Sequence, residues 1–165
     1  LITVVSNTMK ERCTKLRIDP NKIVVRSMGV DLKHRFTPGD SEWLQRRDIV
    51  FVGRLVEKKG VQYLIKAMSN VLQQHPEICL QVVGDGPLRL SLEAQAKSLH
   101  LDHRVTFLGR VCNIDIPPLL RGSKIAVIPS VVAKSGDQEG LGLTAVEAMG
   151  CGCAVVASDL PQFAM

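Results

Sequence analysis

Aromatic residues are scarce in this 165-residue sequence: one Trp, one Tyr and four Phe make up 4% of the chain. Proteins that bind single-stranded nucleic acid usually stack successive bases on aromatic side chains. The composition therefore argues against that class of function, and we expect no nucleic-acid partner. The sequence also lacks any apolar run of the length, about 18 residues, that a membrane-spanning helix needs.

The sequence signatures of several enzyme classes are missing as well. There is no GxSxG, HExxH or Walker motif and no DxD sequence, and the four histidines occur where we expect no catalytic role. The five cysteines form no CxxC pair, and Cys151 and Cys153 have no nearby histidine that would complete a zinc site. We therefore expect free thiols in a reducing cytosol and no metal ion.

The overall composition is that of an ordinary globular protein, with 45% hydrophobic and 22% charged residues. The length allows one full domain, or one domain with a piece of another. The net charge of +5 has two interpretations: a mildly basic soluble protein, or attraction to phosphates, either of nucleotides or of an anionic membrane surface. We expect a cytoplasmic protein, with peripheral association at the inner face of the membrane as a second expectation.

Short apolar runs alternate with amphipathic segments along the chain. Residues 1–6 and 22–26 are predicted strands with a short helix between them. After residue 48 the alternation becomes regular, and such alternation predicts a Rossmann-like parallel sheet with helices on both faces, a three-layer α/β/α fold. The predicted strands there are residues 48–53, 78–84, 104–109, 125–129 and 154–158, and the predicted helices are 61–72, a segment opened by Gly86-Pro87, 116–121 and 143–149.

A polar stretch separates the two regions. Residues 31–47 contain Pro38-Gly39-Asp40-Ser41 and are predicted to be a linker. We expect residues 1–45 to be the end of an N-terminal domain plus this linker, and residues 46–165 to be a C-terminal domain. Both ends look as if they lie inside a longer protein, because the chain starts within a strand and stops soon after one.

The most informative segment is EGLGLTAVEAMGCG, residues 139–152. Gly140 and Gly142 have no Cβ, so backbone N–H groups can approach an anion there, and the positive end of the following helix lies at the same place. Glu139 and Glu147 can accept hydrogen bonds from sugar hydroxyls. The segment therefore predicts a site for a ligand that carries both phosphates and hydroxyls.

The eight-residue spacing of these glutamates corresponds to about two helical turns plus 80°, so one continuous helix would not place them on one face. We expect Glu139 in the loop and Glu147 one turn inside the helix, where they would contact different parts of an elongated ligand. The alternative interpretation is an exposed loop glutamate and a solvated helix glutamate.

Basic residues follow the first strand of the larger sheet. Gly53-Arg54 and, five residues later, Lys59-Gly60 lie in a strand-to-helix loop, where Arg and Lys together match a diphosphate. The alternative is a solvated basic turn, and we expect Lys58 to be solvated.

Three further segments follow strands or precede Glu139. Gly84-Asp85-Gly86 resembles the start of a GxGxxG fingerprint, but Arg89 replaces the third Gly, so we interpret it as a structural turn. Val111 is placed to contact a base through its backbone. Asp137 and Gln138 either extend the polar loop or form a solvated turn.

These segments together resemble the C-terminal, donor-binding half of a retaining GT-B glycosyltransferase of family GT4. SMGVD (27–31) also resembles the turn at which such enzymes pass from one domain to the other. The resemblance covers nearly the whole chain in the family's order, and it implies that residues 46–165 are a C-terminal nucleotide-sugar-binding domain. The matching segments are VGRLVEKKG (52–60), VVGDGP (82–87), VTFLGRV (105–111), GDQEGLGLTAVEAMGCG (136–152) and AVVASDLP (154–161).

The resemblance implies a role for each matching residue. Arg54 and Lys59 match the basic pair that holds the donor diphosphate, with Gly53 beside them. Glu147 matches the glutamate that binds the ribose, and Glu139 matches the glutamate that faces the transferred sugar. The remaining matched positions are Val111 for the base and Gly140, Leu141, Gly142 and Leu143 for the loop whose amides meet phosphate and sugar. Ser27-Met28 and Ala154 depart from the family pattern without removing a side-chain ligand.

The implied activity is transfer of a sugar, with retention, from a nucleotide-sugar such as a UDP- or GDP-sugar to a saccharide or lipid-linked acceptor, without a metal or other cofactor. Glu139, Arg54 and Lys59 are the implied catalytic residues. The acceptor site belongs to the N-terminal domain in this family, so we expect the 165-residue chain alone to bind donor without turning it over. Two alternatives remain open: a nicotinamide-binding Rossmann domain, which the missing GxGxxG disfavours, and a non-catalytic nucleotide-binding module, which has no need for Glu139.

Overall fold

The computed structural model describes residues 1–39, 46, 48–161 and 163. Its N-terminal part is a small parallel sheet of two strands, β1 (Ile2–Val4) and β2 (Ile23–Val25), joined through helix α1 (Asn7–Lys15). Ser6 begins this helix, because its side-chain oxygen accepts the Met9 N–H at 3.2 Å. Both predicted strands and the helix between them are confirmed.

The rest of the chain is built on a parallel sheet of five strands: β3 (Ile49–Val52), β4 (Leu80–Val83), β5 (Val105–Gly109), β6 (Ile125–Ile128) and β7 (Ala154–Ala157). The spatial order is β5-β4-β3-β6-β7. Helices α2 (Val61–Gln74), α3 (Arg89–Ser98), α4 (Ile116–Gly122) and α5 (Leu143–Gly150) connect successive strands. The predicted α/β alternation and the Rossmann-like fold are confirmed.

The strand order places a topological switch point between β3 and β6. From β3 the chain winds outwards through β4 and β5, and it then returns to start β6 on the opposite side. The connections therefore leave β3 and β6 in opposite directions, which opens a crevice beyond their carboxyl ends. Ligands of open α/β sheets bind at such crevices.

The two faces of the sheet are covered by separate hydrophobic clusters. Ile49 and Phe51 of β3 pack into a cluster with α2 and α3, whereas Val50 between them packs into a cluster that includes Ala148 of α5 and Leu120 of α4. Alternate side chains of one strand thus point into different layers, as the pleat requires. The predicted three-layer arrangement is confirmed.

The helix bounds follow local sequence signals. The first turn of α2 comes after Gly60, which has a left-handed backbone with φ +66°, and the helix ends at Gln74, before Pro76. Its buried stripe is Val61, Leu64, Ile65 and Met68. Helix α3 starts at Arg89, later than predicted, because Gly86 and Pro87 belong to the turn before it.

The segment predicted to be a polar linker is partly packed on the larger sheet. Phe36 is only 3% exposed and lies in the same cluster as Val50 and Ala148. Arg121 of α4 donates hydrogen bonds to the Thr37 and Arg35 carbonyls. Residues 35–37 of the predicted linker are therefore packed against the larger sheet, because the aromatic side chain of Phe36 is buried in its core. Residues 40–45 and 47 of the predicted linker lie outside the described residues.

Within the part of the chain that the structure describes, no helix is long and apolar enough to cross a membrane. The same residues contain no group of three or more His, Cys, Asp and Glu side chains that could hold a metal ion. The five cysteines are free thiols. Burial raises the pKa of the Cys153 thiol to about 11, so this thiol stays protonated at neutral pH.

Candidate functional site

A cleft of about 640 Å³ opens at the carboxyl ends of β3, β4 and β5. Three predicted site residues line it: Gly53, Arg54 and Val111. Arg54 is exposed, and its side chain makes no hydrogen bond or ion pair with the other described residues, so its guanidinium is available to a ligand. The remaining lining residues are Val52, Val83, Gly84, Asp85, Gly86, Arg110, Asn113 and Ile116.

Arg110 and Asn113 were not predicted as site residues. Arg110 follows β5 directly, just as Arg54 comes two residues after β3, and it lines the same cleft. The sequence signal for Arg110 is its position directly after a predicted strand, because the carboxyl ends of parallel strands lie at one edge of the sheet. Two arginines thus contribute positive charge to the cleft, which suits an anionic ligand.

The Gly84-Asp85-Gly86 turn is a packed structural element, as its interpretation predicted. A Cβ on Gly84, which has φ +133°, would lie 1.9 Å from the Gly53 carbonyl oxygen, and a Cβ on Gly86 would lie 2.5 Å from the Leu55 carbonyl oxygen. Only glycine allows these two loops to approach so closely. The turn also forms one wall of the cleft, which the sequence interpretation had not included.

Lys59 and Glu139 form an ion pair and hydrogen bond at the adjoining part of the sheet edge. Their side chains are 19% and 13% exposed, so the pair is partly shielded from water. The Cδ atom of Lys59 lies 3.7 Å from the position that a Cβ on Gly53 would occupy, which places the lysine stem beside the cleft loop. The structure therefore brings together two residues that the sequence assigned to different parts of one ligand.

The protonation state of Glu139 follows from this pairing. Burial of the carboxyl group raises its pKa, but the hydrogen bond and positive charge of Lys59 outweigh that effect, and the net pKa lies below its ordinary value of 4.5. The Gly140 N–H, which donates to the same carboxylate at 3.1 Å, acts in the same direction. Glu139 is thus ionised at neutral pH.

Lys58 is not the solvated turn residue that was predicted. Its Nζ lies 3.1 Å from both carboxylate oxygens of Asp137 and 3.4 Å from the Gln138 carbonyl oxygen. Asp137 and Gln138, for which the sequence left a polar loop and a solvated turn open, are accordingly tied to the loop after β3. The prediction failed because the partner of Lys58 lies 79 residues away along the chain.

Glu147 lies on α5 one turn after its first residue, and Glu139 lies in the loop ahead of it, as predicted. Burial raises the pKa of Glu147, and the positive charge of Arg35 opposes this only in part. Arg35 also donates a hydrogen bond to the carbonyl of Asn113, which lines the cleft. Glu147 thus lies within electrostatic range of Arg35, a residue bonded to the cleft-lining Asn113.

The predicted loop residues 140–142 lie directly before α5. Leu141 is half-buried and Leu143 is the first residue of the helix. Gly142 begins the helix with a left-handed backbone, φ +64°, and a Cβ there would overlap the ring of Phe163 at 2.1 Å. Gly140 is more open, because the nearest atom to its Cβ position is Cε of Met9 at 4.0 Å. The glycine at 142 is therefore required by backbone conformation and ring packing.

The family model described as "Glycosyl transferases group 1" matches residues 38–165. A curated relative, an uncharacterized glycosyltransferase of Methanocaldococcus jannaschii, is 39% identical over 112 residues, which cover 68% of this chain and 27% of the relative. The chain spans between 27% and 41% of the length of the first curated relatives that it matches.

Solved structures are similar to the chain as well. The C-terminal domain of a glycosyl transferase group 1 family protein (LpcC) from Francisella tularensis is 30% identical with a TM-score of 0.70, over 82% of this chain and 73% of that one. HepE from Anabaena, solved in complex with UDP and glucose, is 24% identical with a TM-score of 0.81, over 98% of this chain and 45% of that one. The latter likeness shows the fold.

Proposed function

This chain belongs to the glycosyl transferases group 1 family, and we propose that its full-length protein transfers a sugar, with retention, from a nucleotide-sugar to a saccharide or lipid-linked acceptor. In this proposal residues 46–165 are the donor-binding domain, and residues 1–45 contain the end of an N-terminal domain and the interdomain linker. The N-terminal domain of the full-length protein would supply the acceptor side of the cleft.

One observation carries the proposal. A cleft that is lined by Arg54 and Arg110 lies beside the Lys59–Glu139 pair at the carboxyl edge of the sheet. Two guanidinium groups and an ammonium group suit a diphosphate, and carboxylates suit the hydroxyls of a ribose and a hexose. A simple anion site would have no use for Glu139 and Glu147. The Anabaena relative of the same fold was solved with UDP and glucose, which supports a nucleotide-sugar as the ligand.

The proposed roles follow the chemistry of bond cleavage. As the glycosidic bond to the diphosphate breaks, negative charge grows on the leaving group, and Arg54 and Lys59 would stabilise that charge. Glu139 would face the sugar, and Glu147 would accept hydrogen bonds from the ribose hydroxyls. Gly53 and Val111 would let the nucleotide lie close to the backbone, and residues 140–143 would present their amides to phosphate and sugar.

The charge of the chain fits this set of partners. The net charge of +5 favours the approach of anionic donors and of an anionic membrane surface that carries a lipid-linked acceptor. The proposal includes no metal ion, because basic side chains can neutralise the leaving diphosphate directly.

Calorimetric titration of the full-length protein with nucleoside diphosphates tests the proposal. Arg54→Ala and Lys59→Ala should each weaken binding by about tenfold to a hundredfold, since each removes a charge-assisted contact. Lys66→Ala is the matched control, because it removes one positive charge from the exposed side of α2 and leaves the cleft intact. Equal, unchanged affinity in all three variants would overturn the diphosphate assignment.

Incubation of the full-length protein with nucleotide-sugars and acceptors, followed by product analysis, tests the transfer step. Formation of a product with the donor's anomeric configuration is the expected result. Binding of nucleoside diphosphates without transfer to any acceptor would favour the non-catalytic nucleotide-binding module.

A further inference from the structure

The loop that carries Glu139 has little structure of its own. It runs for fourteen residues, 129–142, between β6 and α5 without a regular element. Two backbone hydrogen bonds form within residues 131–137. The Ala133 N–H donates to the Asp137 carbonyl and the Gly136 N–H donates to the Ala133 carbonyl, each at 2.8 Å. A loop of this length needs contacts with other segments to keep one conformation.

Those contacts come from the turn at residues 57–60, which follows β3. The Val131 N–H donates to the Lys58 carbonyl at 2.8 Å, and the Lys134 N–H donates to the Glu57 carboxylate at 3.2 Å. A Cβ on Gly60 would lie 1.7 Å from the Pro129 carbonyl oxygen, so the two backbones are in direct contact at the start of the loop. The turn and the loop thus pack along each other.

Lys58 contacts the loop immediately ahead of Glu139. Its ammonium group contacts the Asp137 carboxylate and the Gln138 carbonyl oxygen, which are the two positions immediately before Glu139. Lys59, the next residue, binds the Glu139 carboxylate. Two consecutive lysines therefore hold three consecutive loop residues in register.

We propose that Lys58, together with Asp137, is a positioning residue that sets the orientation of Glu139 for sugar transfer. The expected effect on the rate of sugar transfer rests on the proposed function. Lys58 fixes the backbone ahead of Glu139, so Lys59 and Glu139 meet in one geometry and the Glu139 carboxylate is presented towards the sugar. A misplaced carboxylate loses transition-state contacts while the diphosphate contacts at Arg54 remain.

The kinetic test uses Lys58→Met in the full-length protein, which keeps the length of the side chain and removes its charge. The variant should lower kcat by about threefold to tenfold, while the Kd for UDP or GDP changes by less than about twofold. Lys58→Arg should retain most of the turnover. Lys58→Asp combined with Asp137→Lys should recover more of it than either single variant, because the exchanged pair restores the attraction.

The matched control is Lys134→Met. Lys134 is exposed in the same loop, and no polar contact of its side chain occurs among the described residues. The control should leave kcat unchanged. Equal kcat values for Lys58→Met and Lys134→Met, or no recovery in the exchanged pair, would overturn the proposal.

A second measurement does not depend on activity. Hydrogen exchange of the backbone amides in residues 131–140 should become faster in Lys58→Met and stay unchanged in Lys134→Met, because only the first variant releases the loop. Unchanged exchange in Lys58→Met would overturn the proposal, even in a protein that transfers sugar well. Absence of transfer and of nucleotide binding in the wild type would instead overturn the proposed function, and the exchange result would still decide whether Lys58 holds the loop.

Discussion

The ammonium group of Lys59 and the carboxylate of Glu139 form an ion pair although 80 residues separate them in sequence. One belongs to the turn after β3 and the other to the loop after β6, the two strands that flank the switch point of the sheet. In the free protein each group neutralises the other. A diphosphate that approaches Lys59 therefore competes with a carboxylate that is already in place.

This competition predicts an unusual result for Glu139→Gln. Turnover in the full-length protein should fall by at least about tenfold. The hydrogen bond from a sugar hydroxyl to residue 139 should strengthen as the sugar ring flattens in the transition state, and the neutral amide makes that bond weaker. Affinity for the nucleoside diphosphate should stay equal or rise by up to about fivefold, because Lys59 no longer has an ionised partner within the protein. Steady-state kinetics and calorimetry on the same preparations check both quantities. Wild-type turnover in the variant would contradict a role for Glu139 at the sugar.

Glu147→Gln should weaken only the binding of the nucleoside part of the ligand. The substitution keeps the shape of the side chain and removes the charge that accepts from ribose hydroxyls, so nucleoside diphosphates should bind about tenfold more weakly. Inorganic pyrophosphate, which has no ribose, should bind as it does to the wild type. An equal loss for both ligands would mean that Glu147 acts through folding or through overall charge.

The same two glutamates predict opposite effects of pH on stability. The folded-state pKa of Glu147 is raised by burial, so this residue favours the folded state at low pH, and that contribution is lost as the pH rises through the folded pKa. The folded-state pKa of Glu139 is lowered by Lys59 despite burial, so its contribution is present above its ordinary pKa of 4.5 and is lost as the pH falls through the folded pKa.

Urea unfolding of Glu147→Gln and Glu139→Gln between about pH 4 and about pH 8 measures these effects. Relative to the wild type, Glu147→Gln should become more stable as the pH rises from 4 to 8. Glu139→Gln should be less stable than the wild type near neutral pH, and the difference should shrink as the pH falls. A difference from the wild type that changes with pH in the same direction for both variants would contradict the environments seen in the structure.

Gly84→Ala should destabilise the fold at one wall of the cleft. The added Cβ would lie 1.9 Å from the Gly53 carbonyl oxygen, on a backbone with φ +133°, so the two loops must separate. We expect a loss of at least about 2 kcal/mol in the free energy of unfolding, measured by urea titration. Gly122→Ala is the control, since a Cβ at this last residue of α4 meets nothing within 4 Å. It should be neutral or stabilising, as alanine replaces glycine in a helix.

The sequence by itself determined the layers and the sheet edge at which the candidate site lies. Apolar runs of strand length, separated by amphipathic segments, allow few arrangements other than a parallel sheet with helices on both faces, and ligands of such a sheet bind at its carboxyl edge. The placement of Glu139 in a loop and Glu147 on a helix followed in the same way from local signals, the glycines before residue 143 and the helical period after it.

Only the tertiary structure decided which of these residues meet. Lys58 was predicted to be solvated, yet it contacts Asp137, and Phe36 was predicted to lie in a polar linker, yet it is in the core. Arg110 came to line the cleft through the position of β5 beside β4. Local patterns specify elements and their buried faces, whereas contacts between loops 80 residues apart depend on how the elements dock. That docking is set by packing across the whole sheet, which no short stretch of sequence contains.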